Sequence, residues 1–126
     1  MLTLEYCEDK ALLSDLYGRI FGGEAPAAGV VLRADGKPCG VACYALEEGG
    51  VRIKEVGVLQ EERGKGYGDF FTRALVFKFM QSGMDIFADG VCGYYKNLGF
   101  WEDGEGGMRV SPDRVVFPSS CKHREG

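Results

Sequence analysis

The sequence predicts a mixed α/β domain built on one central, largely antiparallel sheet that contains a single parallel pair. Three observations carry that prediction. Residues 29–59 read as three short strands joined by tight turns, an antiparallel meander. Residues 56–88 run strand, glycine loop, helix, strand, an order that requires parallel pairing through a right-handed crossover. Residues 100–117 read as a closing hairpin.

Each element has its own local reason. Residues 1–7 (MLTLEYC) alternate loosely, as a first strand does. Residues 8–21 place Ala11, Leu12, Leu16, Ile20 and Phe21 near helical spacing behind an acidic first turn, and Gly22-Gly23 stops the helix. After a small-residue linker at 24–28, residues 29–33 (GVVLR) form a strand, Asp35-Gly36 gives a tight hairpin turn, and residues 39–46 (CGVACYAL) return. A second turn at 47–50 leads to a third strand at 51–59 (VRIKEVGVL). Gly57 interrupts this strand, which marks either a bulge or a close backbone approach. Gln60 to Arg63 are polar turn residues, and Gly64, Gly66 and Gly68 then alternate with Lys65 and Tyr67.

From Asp69 onward Phe70, Phe71, Ala74, Leu75 and Phe79 recur at helical spacing, as a core-facing set. Ser82-Gly83 ends that helix, residues 84–88 (MDIFA) form the next strand, and Asp89-Gly90 turns. Residues 91–98 have room for two helical turns closed by Gly99. Phe100 and Trp101 pair with residues 108–117 across the glycine- and acid-rich turn at 103–107, and Trp101 covers the sheet or joins a subunit contact. Residues 118–126 form a polar, frayed tail.

At 126 residues, 45% hydrophobic and 27% charged, the chain reads as one globular domain with a single core. A net charge of −4 argues against nucleic acid as a partner and is compatible with cationic, amine-bearing substrates. The five cysteines are unevenly spaced and His123 is the lone histidine, so no metal site is expected. Reduced thiols, an acidic N-terminal stretch and the lack of a long apolar run point to a cytoplasmic protein without a membrane partner.

The chemistry concentrates at residues 56–68. A strand that becomes a helix through glycines leaves several backbone N–H groups pointing one way, at the positive end of the helix dipole. Glycine lets a bulky anion approach the main chain without meeting a Cβ. No Gly-Lys-Ser/Thr ends the loop, and Gly64 to Gly68 lacks the dinucleotide-binding Gly-x-Gly-x-x-Gly spacing. Two readings remain at this level: a diphosphate cradle, and a glycine turn that binds nothing.

Arg63-Gly64-Lys65-Gly66-Tyr67-Gly68 fits the pattern Arg/Gln-x-x-Gly-x-Gly/Ala, and Tyr95-Lys96-Asn97-Leu98-Gly99-Phe100 fits Tyr-x-x-x-Gly-Phe. Together and in this order they resemble the GNAT superfamily of acyl-CoA-dependent N-acetyltransferases, over roughly residues 29–117. The resemblance implies acetyl-CoA as co-substrate, with the main-chain N–H groups of Arg63, Gly64, Lys65, Gly66, Tyr67 and Gly68 on the coenzyme A pyrophosphate. It implies that Val58, Leu59 and Gln60 pair with the pantetheine arm, and that a Val58 N–H polarises the thioester carbonyl. Asp89 stands where the family often has an Asn contacting the coenzyme.

Acetyl transfer to an amine needs a base, since a free alkylamine has a pKa near ~10.4, and an acid for the leaving thiolate. The resemblance puts Tyr95 in the acid's place, against its reading as a packed aromatic. Glu55 is the candidate base, against its reading as a solvated strand carboxylate, and Asp85 stands in reserve. Residues 1–28 have room for one helix where the family generally has two. The acceptor side is then open, or completed by a second copy in a homodimer. The function implied is acetyl transfer to a small-molecule or peptide amine; the alternative is a catalytically weak acyl-CoA-binding sensor or subunit.

Overall fold

The computed structural model describes residues 1–89 and 93–117. Its strands form one seven-stranded sheet in the order β1-β2-β3-β4-β5-β7-β6, with β4 and β5 as the parallel pair, and three helices accompany it. The strands are β1 (Leu2–Cys7), β2 (Gly29–Ala34), β3 (Lys37–Glu47), β4 (Gly50–Val58), β5 (Asp85–Asp89), β6 (Trp101–Glu102) and β7 (Gly107–Val110). The helices are α1 (Lys10–Ile20), α2 (Tyr67–Gln81) and α3 (Gly93–Asn97). The mixed α/β class and the mostly antiparallel sheet match the sequence-based expectation.

The chain groups into two compact units. The first holds residues 1–45 and 53–75. Helix α1 begins where the Asp9 carboxylate accepts the Ala11 and Leu12 N–H groups at 3.0 and 3.2 Å, an N-cap worth about 1 kcal/mol. Leu13 and Leu16 come one turn apart on its inner face and are fully buried with Cys7, Val31, Val41 and Leu59. Truncating either leucine to Ala would cost about 2–5 kcal/mol. The β2–β3 turn places Asp35 and Gly36 at φ 51° and 85°, the left-handed pair that suits a two-residue hairpin.

The β2–β3 register shifts by one between Leu32 and Arg33, which leaves Cys39 without a β2 partner. Pro38 beside it has no N–H to give the ladder. The Cys39 carbonyl takes the Leu59 N–H instead, at 2.8 Å, and so fixes where β4 ends.

The second unit holds residues 46–52 and 76–126. Here β7 pairs antiparallel with β5 on one side and β6 on the other. Asp103 closes the β6–β7 turn by accepting the N–H groups of Glu105 and Gly107 at 2.7 and 3.1 Å. The terminal strand is shorter than the expected 108–117. It stops at Val110 because Pro112 starts a 3-10 turn over Pro112–Arg114 that no ladder can continue.

One packing expectation, Phe70 in the core, also needs correction. Phe70 is 38% exposed, because it and the fully buried Phe71 sit about 100° apart on one helix and only one can face inward. Trp101 is 40% exposed and so is not enclosed within this chain. The expected turn residue Gly90, the start of the segment 91–98, and the tail 118–126 with His123 lie outside the described residues.

Candidate functional site

The loop after β4 divides into a closed half and a bare half. The Leu59 backbone is satisfied within the chain: its N–H goes to Cys39, and its carbonyl accepts the Glu62 N–H at 2.9 Å. A 3-10 turn, Gln60–Glu62, follows, and the Arg63 N–H returns to the Gln60 carbonyl at 3.2 Å. Gly64 and Gly66 then take φ of 87° and 80°, and the chain enters α2 at Tyr67. Positive-φ glycines that alternate with residues of negative φ can turn successive N–H groups toward one side, as in an anion nest.

The first α-helical bond of this turn runs from the Phe70 N–H to the Gly66 carbonyl at 3.1 Å. Among the described residues no acceptor takes the N–H groups of Gly64, Lys65, Gly66, Tyr67 or Gly68. Of the six amides expected to bind pyrophosphate, that of Arg63 is therefore used internally and five stay open.

A Cβ built at Gly64, Gly66 or Gly68 would meet nothing within 4 Å, so the loop surface is clear of other chain atoms. Val56, Gly57, Val58, Arg63, Gly64, Gly66, Tyr67 and Gly68 line a cavity of ≈ 390 Å³. The two loop cations differ. Lys65 donates to Glu62 at 2.8 Å, which raises its pKa, and lies 5.7 Å from the Tyr67 ring centroid. Arg63 is exposed and makes no ion pair among the described residues. It is the cation at the loop with no carboxylate to give up.

Glu55 is not a solvated strand carboxylate. It is half-buried on β4 and accepts the Tyr17 hydroxyl hydrogen at 2.7 Å, so it points at α1. That hydrogen bond, helped by desolvation, raises the Tyr17 pKa. Two residues further along the same strand face, a Cβ on Gly57 would meet Ile20 Cγ2 at 2.6 Å and the Phe21 ring at 2.9 Å. Gly57 is thus a site of close approach, where the last turn of α1 rests on bare strand backbone. Arg19 adds a tie from α1 to Glu61 at 2.9 Å. Tyr17 was not singled out from sequence, because a helical tyrosine off the apolar face looks like any amphipathic surface residue.

In the second unit Tyr95 lies on α3, half-buried, with ring centroids 4.9 Å from Phe100 and 5.8 Å from Tyr94. Gly99 holds this turn at φ 97°, and a Cβ there would collide with the Arg114 carbonyl oxygen. The Val116 N–H closes the loop onto the Leu98 carbonyl at 2.8 Å. Asp89 ends β5, and its carboxylate accepts from Arg52 at 2.8 Å, while Arg52 also donates to Glu47 at 2.6 Å. Asp85, the reserve base, is held by Arg109 at 2.7 Å. Both guanidinium groups lie over the Phe87 ring, at 5.3 and 5.0 Å.

Five open amides, glycines without obstructing neighbours and an unpaired arginine fit the doubly charged pyrophosphate of a nucleotide coenzyme. Strand, bare-amide loop and helix in this order make an α/β domain with a candidate diphosphate site. The chain belongs to the Acetyltransferase (GNAT) family, whose sequence profile matches residues 3–100.

Solved structures share the fold. The ribosomal-protein-S18-alanine N-acetyltransferase from Escherichia coli is 14% identical at a TM-score of 0.71, covering 94% of this chain and 97% of that one. A GNAT family acetyltransferase from Brucella melitensis in complex with acetyl-CoA is 17% identical at a TM-score of 0.69, covering 88% of each chain. A GNAT family N-acetyltransferase from Escherichia coli in complex with CoA is 17% identical at 0.66, covering 88% of this chain and 79% of that one. No curated relative matches the sequence.

Acetyl-CoA is the co-substrate of the family. Among the described residues no group of three or more His, Cys, Asp or Glu could hold a metal, and no helix is long and apolar enough to cross a membrane.

Proposed function

We propose that the chain transfers an acetyl group from acetyl-CoA to a primary amine by direct attack in a ternary complex. The observation that carries this is the row of five amides from Gly64 to Gly68 and the Arg63 guanidinium, which find no acceptor or ion-pair partner among the described residues. The coenzyme supplies an activated thioester. Gly64 to Gly68 hold its pyrophosphate, and Arg63 adds charge that costs no existing ion pair.

The Leu59 backbone is fully engaged, so pairing with the pantetheine arm falls to Val58 and Gln60. The Val58 N–H then faces the thioester oxygen, where negative charge collects as the amine attacks. Glu55 takes the proton from the acceptor ammonium, directly or through water, and Tyr95 gives its hydroxyl proton to the leaving thiolate. The Asp89 carboxylate is committed to Arg52, so a coenzyme contact there uses its main chain.

In this reading α1 forms the acceptor side within residues 1–28, and the acceptor is a small-molecule or peptide amine. The buried free thiols of Cys7, Cys39 and Cys43 suit a reducing, cytoplasmic setting.

One observation favours the acyl-CoA-binding sensor: both carboxylates considered as bases, Glu55 and Asp85, already hold partners. Thiol release from acetyl-CoA across a panel of amines separates the two. The enzyme releases thiol in proportion to amine, and Tyr95→Phe abolishes turnover while calorimetry still registers coenzyme A. A binder gives heat with coenzyme A and no amine-dependent thiol. No heat with coenzyme A would remove both readings.

A further inference from the structure

The two edges of the sheet are treated differently. At one end β6 is two residues long, a common way of making an edge strand a poor template. At the other end β1 runs six residues in unbroken register with β2 and has no proline, no lysine and no bulge. Its one charge, Glu5, is neutralised from within by Arg33 at 2.6 Å. Among the described residues this edge lacks the devices that keep strands from pairing further.

The backbone phase of that edge follows from the ladder. The Asp35 N–H bonds the Met1 carbonyl at 2.9 Å, so odd-numbered residues of β1 exchange hydrogen bonds with β2. The N–H and C=O groups of Leu2, Leu4 and Tyr6 therefore point outward, away from β2. Tyr6 is 58% exposed, and Leu2 and Leu4 are half-buried.

We propose that β1 pairs antiparallel with β1 of a second copy of this chain, joining the two sheets about a two-fold axis at Leu4. In that register Leu4 faces Leu4 of the partner subunit, and Leu2 faces the partner's Tyr6. Every outward N–H and C=O of Leu2, Leu4 and Tyr6 then finds a partner. On the other face Thr3 meets the partner's Glu5, so no like charges oppose each other.

Sliding the pair two residues toward Tyr6 sets Glu5 against the partner's Glu5. Sliding it toward Leu2 carries Tyr6 past the Leu2 end of the partner's β1. The strand is self-complementary in one full-length register, and this selects a second copy over an unrelated peptide.

Sedimentation of the intact chain from micromolar to near-millimolar concentration tests the interface, with circular dichroism as a control for folding. The expected mass is twice 13.8 kDa. Leu4→Pro removes an outward donor while leaving the β2 ladder intact, and is expected to give a monomer. Thr3→Glu, which opposes Glu5 at two equivalent places, is expected to weaken dimerisation roughly tenfold, and Thr3→Lys to strengthen it. The Thr3 pair decides the matter if Leu4→Pro fails to fold. A wild-type monomer throughout the range, or a dimer indifferent to the Thr3 charge, would overturn the proposal.

Discussion

Tyr17 on α1 donates its hydroxyl hydrogen to the Glu55 carboxylate on β4 at 2.7 Å, the contact that aims Glu55 toward the helix. If Glu55 is the base, Glu55→Gln should lower kcat by about 10²–10⁴-fold with coenzyme affinity unchanged. Tyr17→Phe should lower kcat less and leave the Kd for coenzyme A alone. The pair also sets a pH dependence. The Tyr17 pKa is raised from 10.0, so its stabilising contribution is full below that value and fades as pH rises through the folded-state pKa. Ultraviolet titration of the wild type and Tyr17→Phe would show one late-ionising tyrosine fewer in the variant, while Tyr6, whose pKa its hydrogen bond to Glu8 also raises, ionises late in both.

Gly57→Ala forces a methyl group against Ile20 and Phe21, with approaches of 2.6 and 2.9 Å. Overpacking of this kind costs about 1–3 kcal/mol, read as a lowered denaturation midpoint. Adding Ile20→Ala to Gly57→Ala should recover part of the loss. Additive losses would mean that α1 does not rest on this strand.

Gly66→Ala meets no neighbour, yet its φ of 80° disfavours a side chain by about 1–2 kcal/mol. Coenzyme A affinity should fall by more than the melting point suggests, since the new methyl enters the nest. Arg63→Ala should weaken binding by about fivefold, and the loss should shrink as salt is raised. Lys65→Ala should cost less, because the Lys65 charge is already shared with Glu62. Titration calorimetry at two salt concentrations measures all three.

Burial, with a smaller push from the Glu55 charge, raises the Cys43 thiol from 9.0 to about 11. Its neutral form is thus favoured in the folded state. The stabilisation is complete below pH 9.0 and is lost as pH climbs through about 11. Iodoacetamide at neutral pH should leave Cys43 unlabelled in native protein and label it after denaturation, as peptide mass mapping would register.

Some of this molecule was legible in its residue order. The meander, the helix that follows the glycine loop, the short helix before Gly99 and the closing hairpin all follow from local signals: Asp35-Gly36, Gly22-Gly23, Ser82-Gly83 and the spacing of Phe71, Leu75 and Phe79. The loop itself was legible because glycine at alternate positions has few backbone meanings. Pro112 also stood in plain view as the end of β7, but the apolar run beyond it reads like strand until the backbone is traced.

Chain order alone determined which elements form and where the bare amides fall, since both depend on neighbours a few residues apart. Tertiary structure decided which groups remain available. That Leu59 donates its amide to Cys39, that Glu55 meets Tyr17 thirty-eight positions away, and that Asp85 and Asp89 are held by arginines depend on distant segments folding together. A carboxylate has one sequence letter whether it is free or paired, and its partner is chosen only when strands and helices pack.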